Sequence, residues 1–147
     1  MSVSSIRRLF RSERGTSAVE FGIVALPLFM LAFGIFEFAR LYWTQEALQE
    51  SATAGARCMG ILQSSCASSG TYNSANTVSY VQGVAANWGI TVPSADIVPT
   101  NSTSCGGSTG FSQVLITYTF TTLIPNIIPI PRAGKVLTLT SCYPNNQ

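Results

Sequence analysis

Histidine is absent from this chain of 147 residues, and charged residues make up only 10% of it. A typical soluble domain has roughly 25% charged residues. The missing imidazole removes the commonest general base and the commonest metal ligand of proteins. Beyond residue 57 the only carboxylate side chain is Asp96, so that part offers no acid/base pair. We therefore expect a protein that is not an enzyme and that uses no cofactor.

The few charges are concentrated at one end of the chain. Residues 1–57 contain six of the eight basic side chains and five of the six acidic ones. The remainder is rich in Ser, Thr, Asn and Gly and contains all four cysteines. A formal net charge of +2, with no basic patch, does not favour nucleic acid as a partner. Composition thus separates a short N-terminal part from a polar C-terminal part.

A long apolar run lies near the N-terminus. Residues 21–36 read FGIVALPLFMLAFGIF and include no charge. Extended to Ala39, the run gives about 28 Å of helix, close to the roughly 30 Å of a bilayer core. A small chain could hardly bury a helix that is apolar on all sides. A cleaved signal peptide fits less well, because the run is longer than an ordinary signal core and no small-x-small site follows closely. The run predicts one membrane-spanning helix.

The charges that flank this run predict its orientation. Four arginines lie between residues 7 and 14, opposed there only by Glu13. After the run, Arg40 is followed by Glu46 and Glu50. The positive-inside rule therefore predicts a cytoplasmic N-terminus and an exported C-terminal domain. Four cysteines in a charge-poor domain are typical of an oxidising compartment, in agreement with export.

A short motif precedes the span at residues 14–21, RGTSAVEF. It resembles the site of prepilin peptidases, which cut after a glycine on the cytoplasmic side and leave glutamate as the fifth mature residue. The resemblance implies cleavage between Gly15 and Thr16, and the glycine would give the protease an extended, unhindered backbone. A carboxylate at the edge of hydrocarbon is costly unless it is neutralised. Glu20 could neutralise the new amine of Thr16 on a neighbouring subunit. The alternative is that Glu20 is an interfacial charge and Gly15 an ordinary loop residue.

Residues 12–57 as a unit resemble the TadE-like family of the tight-adherence (Tad, type IVb) pilus systems. The resemblance covers about a third of the chain and involves charged positions within an otherwise interchangeable apolar run. The matching segments are ERG at 13–15, AVEF at 18–21, Pro27, GIFEFAR at 34–40, QEALQ at 45–49 and GAR at 55–57. Family members are minor pseudopilins or bitopic accessory proteins of the pilus machine.

The resemblance implies a minor pseudopilin of the bacterial inner membrane, with a periplasmic C-terminal domain that becomes extracellular if it enters the pilus. It would be cleaved by prepilin peptidase and contribute to pilus assembly or priming. Its partners would be the membrane, other pilins and pseudopilins, and the Tad inner-membrane machinery. Two alternatives stay open: an uncleaved bitopic anchor or scaffold of a Tad export machine, and an exported adhesin-like binding module.

The helical pattern continues after Arg40, with apolar or small residues on one face as far as Leu62. We expect one helix from about Thr16 to Leu62, and an ion pair between Glu37 and Arg40, which are three residues apart. The fold class is then α+β, a transmembrane and stalk helix packed against a small antiparallel sheet in a pilin-like layout. The expected parts are a leader at 1–15, a transmembrane helix at 16–40, an amphipathic stalk at 41–63 and an exported domain at 64–147.

The C-terminal part predicts one helix and two strands. Residues 64–75 form a loop, and a helix follows from Asn76 to Trp88, with Trp88 on its apolar face and Gly89 at its end. Residues 90–110 are expected to be irregular. Alternating side chains at 114–121 indicate a half-buried strand, antiparallel to a second strand at 135–142. The apolar, proline-rich stretch Ile124–Pro131 between them is expected to be an exposed loop and a candidate contact.

Four cysteines allow three connectivities. We favour Cys58–Cys66, which closes a short loop at the end of the stalk helix, and Cys105–Cys142, which joins the loop before the first strand to the end of the last strand. Each bridge would add about 2–4 kcal/mol to a domain with a small core. A zinc site is the alternative, but the sequence has no C-x-x-C knuckle, so no metal is expected.

Overall fold

The structure of the protein is a computed structural model. It describes the backbone of residues 13–122 and 136–145 and the side chains of 17–122 and 136–145. Within these residues the chain forms two helices, a short 3-10 turn and five strands. They are α1 (Glu13–Gly60), β1 (Ala67–Ser68), β2 (Thr71–Tyr72), α2 (Ser74–Asn87), the 3-10 turn (Ser94–Asp96), β3 (Ile97–Cys105), β4 (Ser108–Thr119) and β5 (Val136–Pro144). The expected α+β class is confirmed.

Helix α1 is continuous over 48 residues and passes through Pro27 without a break. At 1.5 Å per residue it is about 70 Å long. From residue 17 to residue 36 none of its side chains is buried. From Glu37 onward a stripe with steps of three and four residues is buried against the rest of the domain. The buried hydrophobic members of this stripe are Leu41, Ala47, Leu48, Ala52, Ala56, Cys58 and Met59.

Two features of α1 let the domain pack closely on it. Ser51 is buried, and its hydroxyl donates to the Ala47 carbonyl at 2.7 Å, which satisfies the polar group within the helix. Gly55 faces α2 and β4 so closely that a Cβ there would lie 2.4 Å from Cγ2 of Val81. The side-chain-free surface at Gly55 therefore decides how near the second helix can approach.

Helix α2 begins at Ser74, with Asn73 as its N-cap. The Asn73 side chain accepts a hydrogen bond from the Asn76 backbone N–H at 3.0 Å, a standard way to satisfy the first turn. Val81 and Ala85 are fully buried, and Val81 lies against Gly55 of α1. Gly89 has φ +76°, which ends the helix as its position predicted. Trp88, expected on the apolar face, directly follows the helix and is 40% exposed.

The main sheet has three antiparallel strands in the order β3-β4-β5, so β4 is central. The alternation predicted for the central strand is confirmed by buried Val114 and Ile116. The antiparallel pairing with the last strand is confirmed as well, with Thr117 opposite Thr138. The buried face of this sheet packs on the second half of α1, where Leu137 and Leu139 complete the core.

The prediction that residues 90–110 are irregular is wrong, because Ile97–Cys105 is a strand. Its inward positions include Pro99 and Asn101, so the sequence lacks the regular alternation of apolar and polar residues that is typical of a strand. Proline is tolerated there because β3 is an edge strand. A register shift between Thr100 and Thr103, with Ser102 at φ +58°, interrupts the pattern further.

The expected loop at 64–75 contains a small hairpin of β1 and β2, in which Ala67 pairs with Tyr72. Strands of two residues are too short to leave a periodic signal. The proline-rich stretch Ile124–Pro131 and most of the leader at 1–15 lie outside the described residues. The predictions made for them stay predictions.

Candidate functional site

The first half of α1 is the most unusual surface of the described molecule. Large apolar side chains such as Phe21, Leu28 and Phe36 stand more than half exposed on all sides of the helix. Ser17–Gly60 includes a window of mean hydropathy 2.2, long and apolar enough to cross a membrane. One such N-terminal helix is consistent with a single-pass membrane protein. Exposed apolar surface of this extent is typical of sites that contact a membrane or another protein.

The predicted processing site lies at the beginning of this helix. Gly15 and Thr16 belong to the first helical turn, since α1 begins at Glu13. Glu20 is exposed at the start of the apolar surface. Because Thr16 and Glu20 are four residues apart in a helix, they lie one turn apart on the same face. The structure therefore brings the predicted new N-terminus and the predicted charge to one side of the helix.

Glu37 and Arg40 meet where the exposed half of α1 ends. Arg40 Nη2 lies 3.1 Å from Glu37 Oε1, and only 1% of Glu37 is exposed. Arg40 Nη2 also donates to the backbone carbonyl of Thr121, and its guanidinium lies 4.8 Å from the centre of the Phe120 ring. The pair predicted from the sequence thus exists on α1 and also ties the helix to the residues that follow β4.

The contacts of Arg40 beyond Glu37 were missed by sequence reasoning. Thr121 is 81 positions away, and no local periodicity reports a contact at that separation. Their effect is electrostatic as well as steric. A carboxylate removed from water is costly unless a positive group accompanies it. Arg40 supplies that group beside Glu37, and the Thr121 carbonyl holds the guanidinium in place.

The four cysteines form two disulfides in the structure, Cys58–Cys66 and Cys105–Cys142. The first joins the end of α1 to the residue before β1, and both of its cysteines are buried. The second joins the last residue of β3 to β5, the two strands that flank β4. The Gln113 side chain of β4 lies within 3.8 Å of both sulfurs of this bridge. Gly60, two residues after Cys58, lies against Tyr143, the neighbour of Cys142. Both bridges therefore lie toward the end of the domain that is away from the apolar half of α1.

These features define a class of protein. One N-terminal helix is able to span a membrane, and its continuation is the spine of a small α+β domain. Residues 15–57 match the model of the family described as TadE-like protein. The resemblance predicted from residues 12–57 is confirmed over that segment, and it suggests involvement in Tad pilus systems. Neither the curated proteins nor the solved structures contain a significant match.

Proposed function

We propose that the protein is a minor pseudopilin of a Tad-type pilus, cleaved by prepilin peptidase between Gly15 and Thr16. It contributes to assembly or priming of the pilus at the inner membrane, together with other pilins, pseudopilins and the Tad machinery. The observation that carries this proposal is the extent of the family match. The match begins at Gly15 and runs through the exposed and the buried halves of α1 as one unit.

The geometry of α1 supports a structural role rather than a catalytic one. Its exposed half can be covered by lipid before assembly and by neighbouring helices after it, since both surroundings are apolar. Its buried half moves with the domain, because one unbroken helix joins the two. The basic leader keeps the N-terminus in the cytoplasm and the domain outside it. Glu20 is exposed at the edge of the apolar surface, and its proposed partner is the Thr16 ammonium group of a neighbouring subunit.

Cleavage at this site requires a local change of the backbone. Gly15 and Thr16 lie in the first turn of α1, and a protease binds an extended chain rather than a helix. The first turn of a helix opens readily, because its N–H groups lack partners within the helix. Glycine also lowers the cost of opening, since it is a poor helix former. The site is therefore in a segment that can unwind without disturbing the domain.

Mass spectrometry of the membrane-extracted protein tests the proposal in a cell that has active prepilin peptidase. The mature chain is expected to begin at Thr16. Gly15→Val is expected to leave the leader intact, because the added side chain obstructs the protease. Gly22→Ala is the matched control, since Gly22 lies on the same helix with no atom within 4 Å of an added Cβ. It is expected to be processed normally.

The same preparation separates cleavage from assembly. Glu20→Gln is expected to be inserted and processed like the natural protein but to be absent from sheared pili or to lower their number. An intact leader on the natural protein would instead support the uncleaved anchor or scaffold. Normal piliation with Glu20→Gln would remove the proposed neutralising role of Glu20. Surface binding that persists without any pilus machinery would favour the adhesin-like module.

A further inference from the structure

The chain has two tryptophans, and the fold brings them together. Trp43 lies on α1, seven residues beyond Phe36, and Trp88 directly follows α2. Their ring centroids are 5.3 Å apart with an interplanar angle of 70°, an edge-to-face pair. The indole nitrogen of Trp43 lies 3.5 Å from the backbone carbonyl oxygen of Trp88. One ring thus comes from the membrane helix and the other from the domain built on it.

The height of this pair follows from the length of the exposed half of α1. Residues 17–36, whose side chains are not buried, give about 30 Å of helix, the thickness of a bilayer core. Glu37 is the first buried side chain of α1 in the described residues. The domain therefore begins where the span ends, with no linker between them. Trp43 is about 9 Å further along the helix axis, and helical side chains lean back toward the N-terminus.

Neither ring belongs to the hydrophobic core. Trp43 is 56% exposed and Trp88 is 40% exposed, and the neighbouring Tyr42 is also exposed. Large exposed aromatic rings are costly in water, whereas tryptophan and tyrosine are enriched at both membrane–water interfaces. The headgroup region extends roughly 5–8 Å beyond each side of the hydrocarbon. Because the Trp43 side chain leans back from its Cα toward the N-terminus, we expect the Trp43–Trp88 pair at that level. Arg40 lies about one turn before Trp43 on the same helix.

We propose that the C-terminal domain rests directly on the membrane surface through the Trp43–Trp88 pair, whose partner is the headgroup region of the lipid bilayer. Trp88 is the contact that the domain itself contributes. With Trp43 alone, α1 and the domain packed on it could tilt together about a single contact. With both rings in the interface, the domain has one preferred height and inclination. This inference rests on the membrane-spanning helix of the proposed function, but not on cleavage of the leader.

Depth-dependent quenching of tryptophan fluorescence tests the contact with the full chain in lipid vesicles. Trp43→Phe leaves Trp88 as the single tryptophan, and Trp88→Phe leaves Trp43 as the matched reference. The vesicles contain phosphatidylcholine brominated either near the glycerol end of its acyl chain or near the methyl end. For both variants we expect blue-shifted emission and a greater loss of intensity with the shallow bromines. Circular dichroism checks that each variant is folded, and Trp43→Tyr replaces Trp43→Phe if the latter unfolds.

The two reporters separate failure of the contact from failure of the span. Quenching of Trp43 without quenching of Trp88 would overturn the inference and leave the proposed function standing. Trp88 would then be covered by water or by another protein. If neither reporter were quenched, the helix would not lie in the bilayer as proposed, and both the inference and the membrane-bound pseudopilin would be overturned. Greater quenching of both tryptophans by the bromines near the glycerol end supports direct contact between the domain and the headgroup region.

Discussion

The two halves of α1 have similar apolar residues and opposite surroundings. Leu28 is 59% exposed in the first half, whereas Leu48 is completely buried in the second. The backbone is one helix throughout, so local geometry does not cause the difference. The cause is the pattern: the first half is apolar on every side, and the second half has one apolar stripe among polar faces. A fully apolar surface suits lipid, and a stripe suits a protein core.

The largest loss of stability is expected when disulfides are removed. All four cysteines lie at or beyond residue 58, so their bridges stabilise the domain and not the exposed half of α1. In the chain-entropy model, the double substitution Cys105→Ala with Cys142→Ala should lower the free energy of unfolding by about 4 kcal/mol. Cys58→Ala with Cys66→Ala should lower the free energy of unfolding by about 2.5 kcal/mol, because this bridge closes a shorter loop. Urea unfolding in detergent, followed by tryptophan emission, measures both values. Carbonate extraction is the control and should show unchanged membrane insertion. Equal urea midpoints for the natural and variant chains would contradict the prediction.

A matched pair of leucine substitutions tests the comparison directly. Leu48→Ala removes a fully buried side chain and should destabilise the domain by about 2–5 kcal/mol, from lost transfer energy and the cavity left behind. Leu28→Ala removes a side chain that touches no core, so the same urea experiment should give a change within about 0.5 kcal/mol. A similar loss from both substitutions would show that the first half of α1 is also packed within the folded domain.

A pair of glycine substitutions, one in each half of α1, is expected to give the smallest difference in stability. In Gly55→Ala the added Cβ would lie 2.4 Å from Val81 Cγ2 and 3.2 Å from Val114 Cγ2. Overpacking costs about 1–3 kcal/mol and is partly offset by about 1 kcal/mol of better helix propensity. We expect a net loss of about 1 kcal/mol in the free energy of unfolding. Gly34→Ala meets no atom within 4 Å and should leave the domain unchanged. A higher free energy of unfolding for Gly55→Ala would contradict the prediction, because it would mean that α2 can move away from α1 without losing stability.

The elements with regular periodicity were predictable, and those with polar interiors were not. Alternation over 114–121 predicted the central strand, because Val114 and Ile116 face the core. The edge strand β3 was missed because its inward Asn101 belongs to a polar cluster. Ser112 Oγ and the Asn145 amide each lie 3.0 Å from the Asn101 side-chain oxygen, so the interior there is satisfied by hydrogen bonds rather than by apolar contact.

One local signal for β3 is present in the sequence. Gly106 and Gly107 form the two-residue connection between Cys105 and Ser108, and both have positive φ, +60° and +86°. A Gly-Gly pair between two extended stretches is a hairpin signal, because it suits the tight turn that joins twisted antiparallel strands. Read this way, the turn would have predicted a strand on each side of it.

By itself the sequence determined the helix that can span a membrane, the motif at Gly15 and Glu20, and the supply of four cysteines. Each of these depends on residues close together in the chain, and their type and spacing indicate whether they suit lipid, water or an oxidising compartment. Only the tertiary structure decided that Arg40 meets Thr121, that Trp88 meets Trp43, and that Gly55 faces Val81. Periodicity shows which face of an element avoids water, but the partner of that face depends on how distant segments close around it.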